Sequence, residues 1–405
     1  MKSPVKRSSL AASIVAVVVA VCLAACGSSG SGGSSGDSNS TFTIGVVGSF
    51  SGVLASSFGG IEPTLVAWQK WTNAHGGVGG HPVKIVLDDD AASASTSLTD
   101  VRQLVGQDHV SVLVDASGVD STWVSYIDSA KVPVITINGN ILSSEWFTDG
   151  PALMTYQALG SFAVAKAEGG TKLAFLYCAD VAACTQQVAS AKSLASDAGL
   201  KMVYSSAAAA NAPTYAPVCQ AAKAAGANVL NVYGPVSLQV NVANACAQQG
   251  DKFIVISSSL NFTNYWLKYP SLNGAVEDDP DFPVAYDGNA AAQAFHKAMQ
   301  QYEPSEVTNV NYGEGNAVAW VVMQEAAQAL KNSGVSKSAT ISASDITNGL
   351  YKMDGNTLGG LAPPLKFSSS DTGQSINCWY TMAIQNSKFV APVGLKLSCY
   401  NKPLS

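Results

Sequence analysis

Charge is what this sequence has least of. Only 12% of its 405 residues are Asp, Glu, Lys or Arg, about half the share found in an ordinary soluble domain. The formal net charge is −6, so the basic face that a nucleic-acid partner requires is missing. Histidine is scarce as well. His75, His81, His109 and His296 are the only ones, and none lies in an H-E-x-x-H pattern or beside a G-x-S-x-G elbow. Without a placed base the many serines carry no hydrolytic chemistry, so the chain is not expected to be an enzyme. C-x-x-C pairs are absent, which leaves zinc without its usual ligand spacing. No metal or cofactor is expected. Beyond the N-terminal segment no apolar run is long enough to cross a membrane.

What is present begins at the N-terminus. "MKSPVKRSSLAASIVAVVVAVCLAAC" joins a basic start (Lys2, Lys6, Arg7) to an apolar run and ends on Leu23-Ala24-Ala25-Cys26, the form of a secretory signal. Residues 1–26 resemble a bacterial lipoprotein signal, which implies a lipid on Cys26; an ordinary signal peptide with an incidental cysteine is the alternative. Residues 27–40, "GSSGSGGSSGDSNS", have the composition of a flexible tether. Six further cysteines remain in an exported chain, which favours disulfides. They form sequence-local pairs, Cys178–Cys184, Cys219–Cys246 and Cys378–Cys399, with buried free thiols as the alternative.

The length predicts two domains. From residue 41 onward, β-branched runs alternate with Ala-rich helical stretches. The strand-like runs are "FTIGVVG", "VKIVLD", "VSVLVD", "VPVITI", "LAFLYC", "MVYSS", "NVLNVYG" and "FIVISS". Helical periodicity is carried by Val188, Ala191, Leu194, Ala195 and Ala198, and again by Ala319, Val322, Met323, Ala326, Ala329 and Leu330. Alternation of this kind means parallel βαβ units, and near-continuous apolar strands mean sheets covered on both faces. A TIM barrel would also use eight such units. Residues 271–311 argue against it, because "EDDPDFP" breaks the rhythm there. The expected fold is therefore α/β, with two doubly wound lobes and a hinge.

The order "IGVVGSFSG", "NAHGGVGGHPVKIVLDDD", "VSVLVDASG", "VPVITINGN", followed by "KLAFLYCADVAAC", "NVLNVYG" and "FIVISSS", resembles type I periplasmic solute-binding proteins. More narrowly it is similar to the leucine/isoleucine/valine-binding family of ABC transporters. The resemblance implies lobe 1 at 41–155 and 286–340, and lobe 2 at 156–285 and 341–405. The glycines of 76–80 follow a helix and precede a strand, the reverse of a phosphate loop, so Gly76 reads as a helix C-cap. His75 and His81 read as solvated turn residues, and Asp88, Asp89 and Asp90 as solvated or helix-capping. Glu303, Glu306 and Glu314 are expected in exposed turns and helix starts.

In open α/β sheets the ligand sits beyond the carboxyl ends of the strands. The loops there offer Ser51 and Phe58 after the first strand, Asp115, Ala116 and Ser117 after the third, and Asn138 and Asn140 after the fourth. The second half offers Asp180, Tyr233 and Ser258. For each, a helix cap or turn is the plainer role; Trp123 and Trp146 read as aromatic walls or as core. The resemblance implies a monomeric solute-binding component of an ABC importer, held by its lipid at the outer face of the cell membrane, closing on a small molecule and serving a membrane permease. A tethered ligand sensor for a membrane signalling partner is the rival reading. The resemblance also sets an acidic residue of the second lobe against the ammonium of amino-acid ligands. Serines occupy that stretch here, so the expected solute is not a standard α-amino acid but a weakly polar organic acid, amide or other neutral metabolite.

Overall fold

Two runs of buried β-branched strands organise the chain. The computed structural model describes residues 39–137, 141, 143–149, 154–179, 182–257, 260–373 and 375–400. The signal segment, most of the tether, Cys26, Asn138, Asn140, Asp180 and Ser258 lie outside the described residues.

The first sheet contains β1 (Phe42–Gly48), β2 (Val83–Asp89), β3 (Val112–Ala116), β4 (Val134–Thr136) and β5 (Trp146–Phe147), in the order β2-β1-β3-β4-β5. Every pairing is parallel. The helices between them are α1 (Ala55–Phe58), α2 (Ile61–Ala74), α3 (Ala94–Gly106) and α4 (Val124–Ala130). Side chains alternate between two cores. Ile44, Val46, Val112 and Val114 pack with Leu65 and Trp68 of α2. Val47, Leu113 and Val134 pack with Val101, Leu104 and Ile127 on the opposite face.

The turn after α2 shows how the sequence aligns a helix with a strand. Gly76 and Gly77 have φ of +91° and +76°, a region that costs glycine nothing. A Cβ on Gly77 would lie 2.0 Å from the His81 carbonyl oxygen. The Asn73 side chain then brackets Val83, donating to its carbonyl at 2.8 Å and accepting from its N–H at 2.7 Å. Asn73 thus sets the start of β2. His81 is not the solvated residue its turn suggested. The turn folds back through a Val78–His81 bridge, leaving His81 1% exposed beside Ser40.

The second sheet follows α5 (Met154–Ala167). Its parallel part is β6 (Lys172–Cys178), β7 (Lys201–Ala208), β8 (Val229–Tyr233), β9 (Ile254–Ser257) and β10 (Val276–Asp279), in the order β10-β9-β8-β6-β7. Between these strands run α6 (Ala182–Asp197), α7 (Ala216–Ala224), α8 (Val236–Gln248) and α9 (Asn264–Leu267). The chain then returns toward the first sheet. Both α10 (Ala290–Tyr302) and α11 (Glu314–Ser333) pack on α2, and α12 (Ala343–Leu350) packs on α11. After a hairpin of β11 (Asp354–Asn356) and β12 (Leu365–Lys366), β13 (Cys378–Gln385) pairs antiparallel with β10. It carries β14 (Lys388–Val390) and β15 (Ser398–Cys399). Two open sheets rather than one closed ring rule out the barrel, and the fold is α/β with two doubly wound lobes and a hinge. The disulfides Cys178–Cys184, Cys219–Cys246 and Cys378–Cys399 form as expected. They join β6 to α6, α7 to α8, and β13 to β15.

The stretch "EDDPDFP" departs most from expectation. Its acids do not interrupt the sheet; they form β10, in its interior. Glu277, Asp278, Asp279 and Asp281 are all 0% exposed, as are Glu314 and Glu325 of α11, and Asp149 is 2% exposed. Glu277 accepts the N–H groups of Asn261 and Phe262, Glu314 that of Val284, and Asp278 the Ser161 hydroxyl. Asp281 lies against the Asp149 carboxyl, and Asp279 against that of Glu277. The ion pairs Lys70–Glu303, Lys131–Glu145, Lys223–Asp251 and Lys366–Asp354 lie elsewhere.

Burial first, and neighbouring carboxylates second, push Asp279, Asp281 and Glu325 well above the usual carboxylate range. Burial does the same to Glu277 and Glu314. Folding thus favours the neutral, protonated form of these groups. The folded protein therefore holds protons that an unfolded chain releases above about pH 4, and stability falls as pH rises. Each proton so held contributes ~1.4 kcal/mol per pH unit across its window. Thermal unfolding should show a melting temperature that declines from about pH 5 to about pH 8, with a shallower decline for Asp281→Asn. A flat or rising profile contradicts this assignment.

Candidate functional site

The carboxyl ends of β1, β2 and β3 converge on one polar network. Asp90, directly after β2, is its centre and is 0% exposed. Its Oδ1 accepts from the Ser49 hydroxyl at 2.6 Å and the Ala92 N–H at 2.8 Å. Its Oδ2 accepts from the Ser117 hydroxyl at 2.5 Å. One carboxylate thus ties together the loops that follow three neighbouring strands. The network extends outward, with the Gly118 N–H donating to Ser49 Oγ and the Val119 N–H to Ser117 Oγ. Ser97 stands 3.2 Å from Ser117 and receives the Trp123 indole N–H at 3.0 Å.

Two more acids work beside it. Asp89 accepts the N–H groups of Phe50, Ser51 and Ala91 at 3.0, 3.2 and 3.0 Å. Its slight burial acts to raise its pKa, but the Ser51 hydroxyl and these three N–H groups outweigh that and hold it below the usual carboxylate range. Asp115 is 0% exposed and accepts the Ser117 N–H and the Thr136 hydroxyl. Burial, with Asp120 adding to it, lifts Asp115 well above its ordinary value, and burial pushes Asp120 up to about 6.

The facing side comes from the second sheet. Tyr233 ends β8, largely buried, its ring stacked on Phe175 with centroids 6.3 Å apart. Burial pushes its phenol up to about 12. Ser257 at the end of β9 donates to Gln239 Oε1, and the Gln239 amide donates to the Gly234 carbonyl. The carboxyl ends of β8 and β9 are braced in this way. Helix α1, just after β1, touches α8, just after β8, so the strand-end loops of the two sheets meet.

The residues singled out from sequence fall into distinct places. Ser51 is exposed and Phe58 half-buried on α1. Asp115, Ala116 and Ser117 are gathered with Ser49 beneath the loops, each 0% exposed. Trp123 and Trp146 stack at 5.2 Å inside the core rather than walling the cleft. Asp90 is a buried hub, not a solvated strand end. Glu306 and Glu314 are buried, 6% and 0% exposed, although Glu314 does open helix α11; Glu303 pairs with Lys70 at the surface. Ser49, Asp89 and Asp90 were missed as site residues. The signal for them was in the sequence: adjacent acids at a strand end followed by small residues whose N–H groups a carboxylate can reach. Among the described residues Cys219, Cys246 and Asp251 cluster at metal-ligand distances, but the two sulfurs are bonded to each other.

Removing the hub strands several buried donors, each costing about 1–3 kcal/mol. Asp90→Ala should lower unfolding stability by about 2–4 kcal/mol in a denaturant titration. A loss under about 0.5 kcal/mol contradicts the hub role.

Comparison with known proteins agrees with this architecture. A family model described as periplasmic binding protein matches residues 41–388. A branched-chain amino acid ABC transporter from Thermus thermophilus with bound valine superposes with a TM-score of 0.76 at 14% identity, covering 90% of this chain and 97% of that one. A solute-binding protein of an ABC transporter from Rhodopseudomonas palustris, in complex with 4-hydroxybenzoate, gives 0.68 at 16%, covering 89% and 97%. A fatty acid ABC transporter substrate-binding protein from Thermomonospora curvata gives 0.71 at 15%, covering 90% and 93%. No curated protein matches the chain.

Proposed function

The chain belongs to the periplasmic binding proteins, and from that premise we propose that it is the lipid-anchored solute-binding component of an ABC importer. It takes a small organic molecule between its lobes and presents it to a membrane permease. The observation that carries this reading is the meeting of strand-end loops from two doubly wound sheets, where α1 touches α8. That is the crevice in which open α/β sheets hold ligands. The lobes are taken as residues 41–155 with 286–340, and 156–285 with the remainder, α12 staying with the α11 helix on which it packs. Closure draws affinity from contacts available only when both lobes engage the solute. Ser51, Phe58 and Tyr233 are the described residues proposed to face it, together with Asn138, Asn140, Asp180 and Ser258.

The N-terminal signal and the Gly/Ser tether support a monomer anchored through Cys26 at the outer face of the cell membrane. Cys26→Ala should release the protein into the medium; a variant that stays with the membrane fraction contradicts the anchor. Valine, 4-hydroxybenzoate and fatty acids all carry carboxyl groups, so these relatives suggest a carboxylic acid here too. The stretch "VISSSLNF" supports a solute other than a standard α-amino acid, since a buried ammonium needs a countercharge. A thermal-shift screen of metabolites tests binding, and small-angle scattering tests closure. Saturating a hit should reduce the radius of gyration. An unchanged radius, with the protein first stripped of solute, contradicts the hinge mechanism.

A further inference from the structure

Resting on the solute-binding reading, the inference concerns which chemical class the crevice accepts. An anion leaving water needs either a cation or hydrogen-bond donors with hydrogens to spare. The strand-end loops supply no cation. Residues 49–60, 88–97, 115–124 and 136–141 of the first half contain no lysine, arginine or histidine, and neither do 177–184, 233–239 and 257–264 of the second.

Among the described residues, donors in the loops after β1, β2 and β3 are already committed. Asp89 takes the N–H groups of Phe50, Ser51 and Ala91, and Asp90 takes that of Ala92. Asp115 takes the Ser117 N–H. The hydroxyls of Ser49 and Ser117 both point at Asp90. Gly118 and Val119 donate to serine oxygens. The chain's own carboxylates thus occupy the donor positions where a ligand carboxylate would bind. Asp89 lies toward the exposed rim, and its field repels a second anion.

We infer that the part of the solute facing the loops after β1, β2 and β3 is uncharged or cationic, a hydroxyl, amide or amine group rather than a carboxylate or phosphate. Such a group donates to a carboxylate oxygen, and Asp89 is the exposed carboxylate among these three acids. The conclusion parts from the carboxylic acids that the structural relatives suggest, and it selects the amide and neutral members of the class expected from the sequence.

The test is a charge-sorted metabolite screen by thermal shift on purified protein stripped of solute by unfolding and refolding. It includes the matched probes 4-hydroxybenzoate with 4-hydroxybenzamide and octanoate with octanamide, and hits are measured by calorimetry. Compounds that raise the melting temperature should be neutral or cationic, with the uncharged member of a binding pair favoured by at least about tenfold. An anion that binds about tenfold tighter than its uncharged counterpart overturns the inference. A screen with no binder in any class overturns the solute-binding reading beneath it, which keeps the two failures apart. In Asp89→Asn, checked for an unchanged melting temperature, the preference against the anion should narrow. An unchanged preference in that folded variant removes Asp89 from the account.

Discussion

A carboxylate taken out of water costs several kcal/mol unless hydrogen bonds or a proton replace its hydration. This chain takes carboxylates inside in two regions and meets the requirement differently in each. Beneath the strand-end loops, Asp89 and Asp90 replace their lost hydration by collecting backbone N–H and serine hydroxyl groups. Around β10 and α11, acids stack against other acids, and burial favours their protonated form. The ion pairs of lysine described above lie outside both regions.

The two regions divide the work of the fold. The N–H and hydroxyl network fixes the loops after β1, β2 and β3 relative to one another, so the first-lobe side of the crevice is preorganised before a solute arrives. The protonated region sits where the chain passes between sheets. Asp149 follows β5 as the chain leaves the first sheet, and Asp281 follows β10 as it leaves the second; the two carboxyls lie together. These two segments thus meet through carboxyls that repel one another once both ionise. The second sheet is held differently, by disulfides within its own elements, which leave the passages between sheets unconstrained.

Most of the architecture was legible in the sequence because it rests on local patterns. Apolar runs marked every strand of the parallel sheets except the short β5 and the acidic β10. The asparagine and paired glycines at 73–77 marked the α2–β2 turn, and short spacing marked the cysteine pairs. What escaped reading was the interior acids. Glu277 to Asp279 look like a polar loop in any hydropathy pattern, and only tertiary burial turns them into a strand. Asp90 and His81 were misread for the same reason: solvation of a turn depends on what folds over it, here the loops after β1 and β3 and the segment at Ser40. At the strand ends, Ser51 lies exposed after β1, while Asp115 and Ser117 lie buried beneath the loops. Sequence could not tell that Ser117 spends its hydroxyl on Asp90.

The account depends most on the inward-facing acids of β10 and α11 being neutral at ordinary pH. Carbon-13 NMR of selectively labelled aspartate and glutamate carboxyls, followed across pH, reads their protonation directly. The account predicts a set of carboxyl resonances, assignable through Asp279→Asn, Asp281→Asn and Glu325→Gln, that remain in the protonated position above about pH 6 while surface acids titrate near pH 4. If every carboxyl titrates near pH 4 in the folded protein, the buried acids are charged and the account fails.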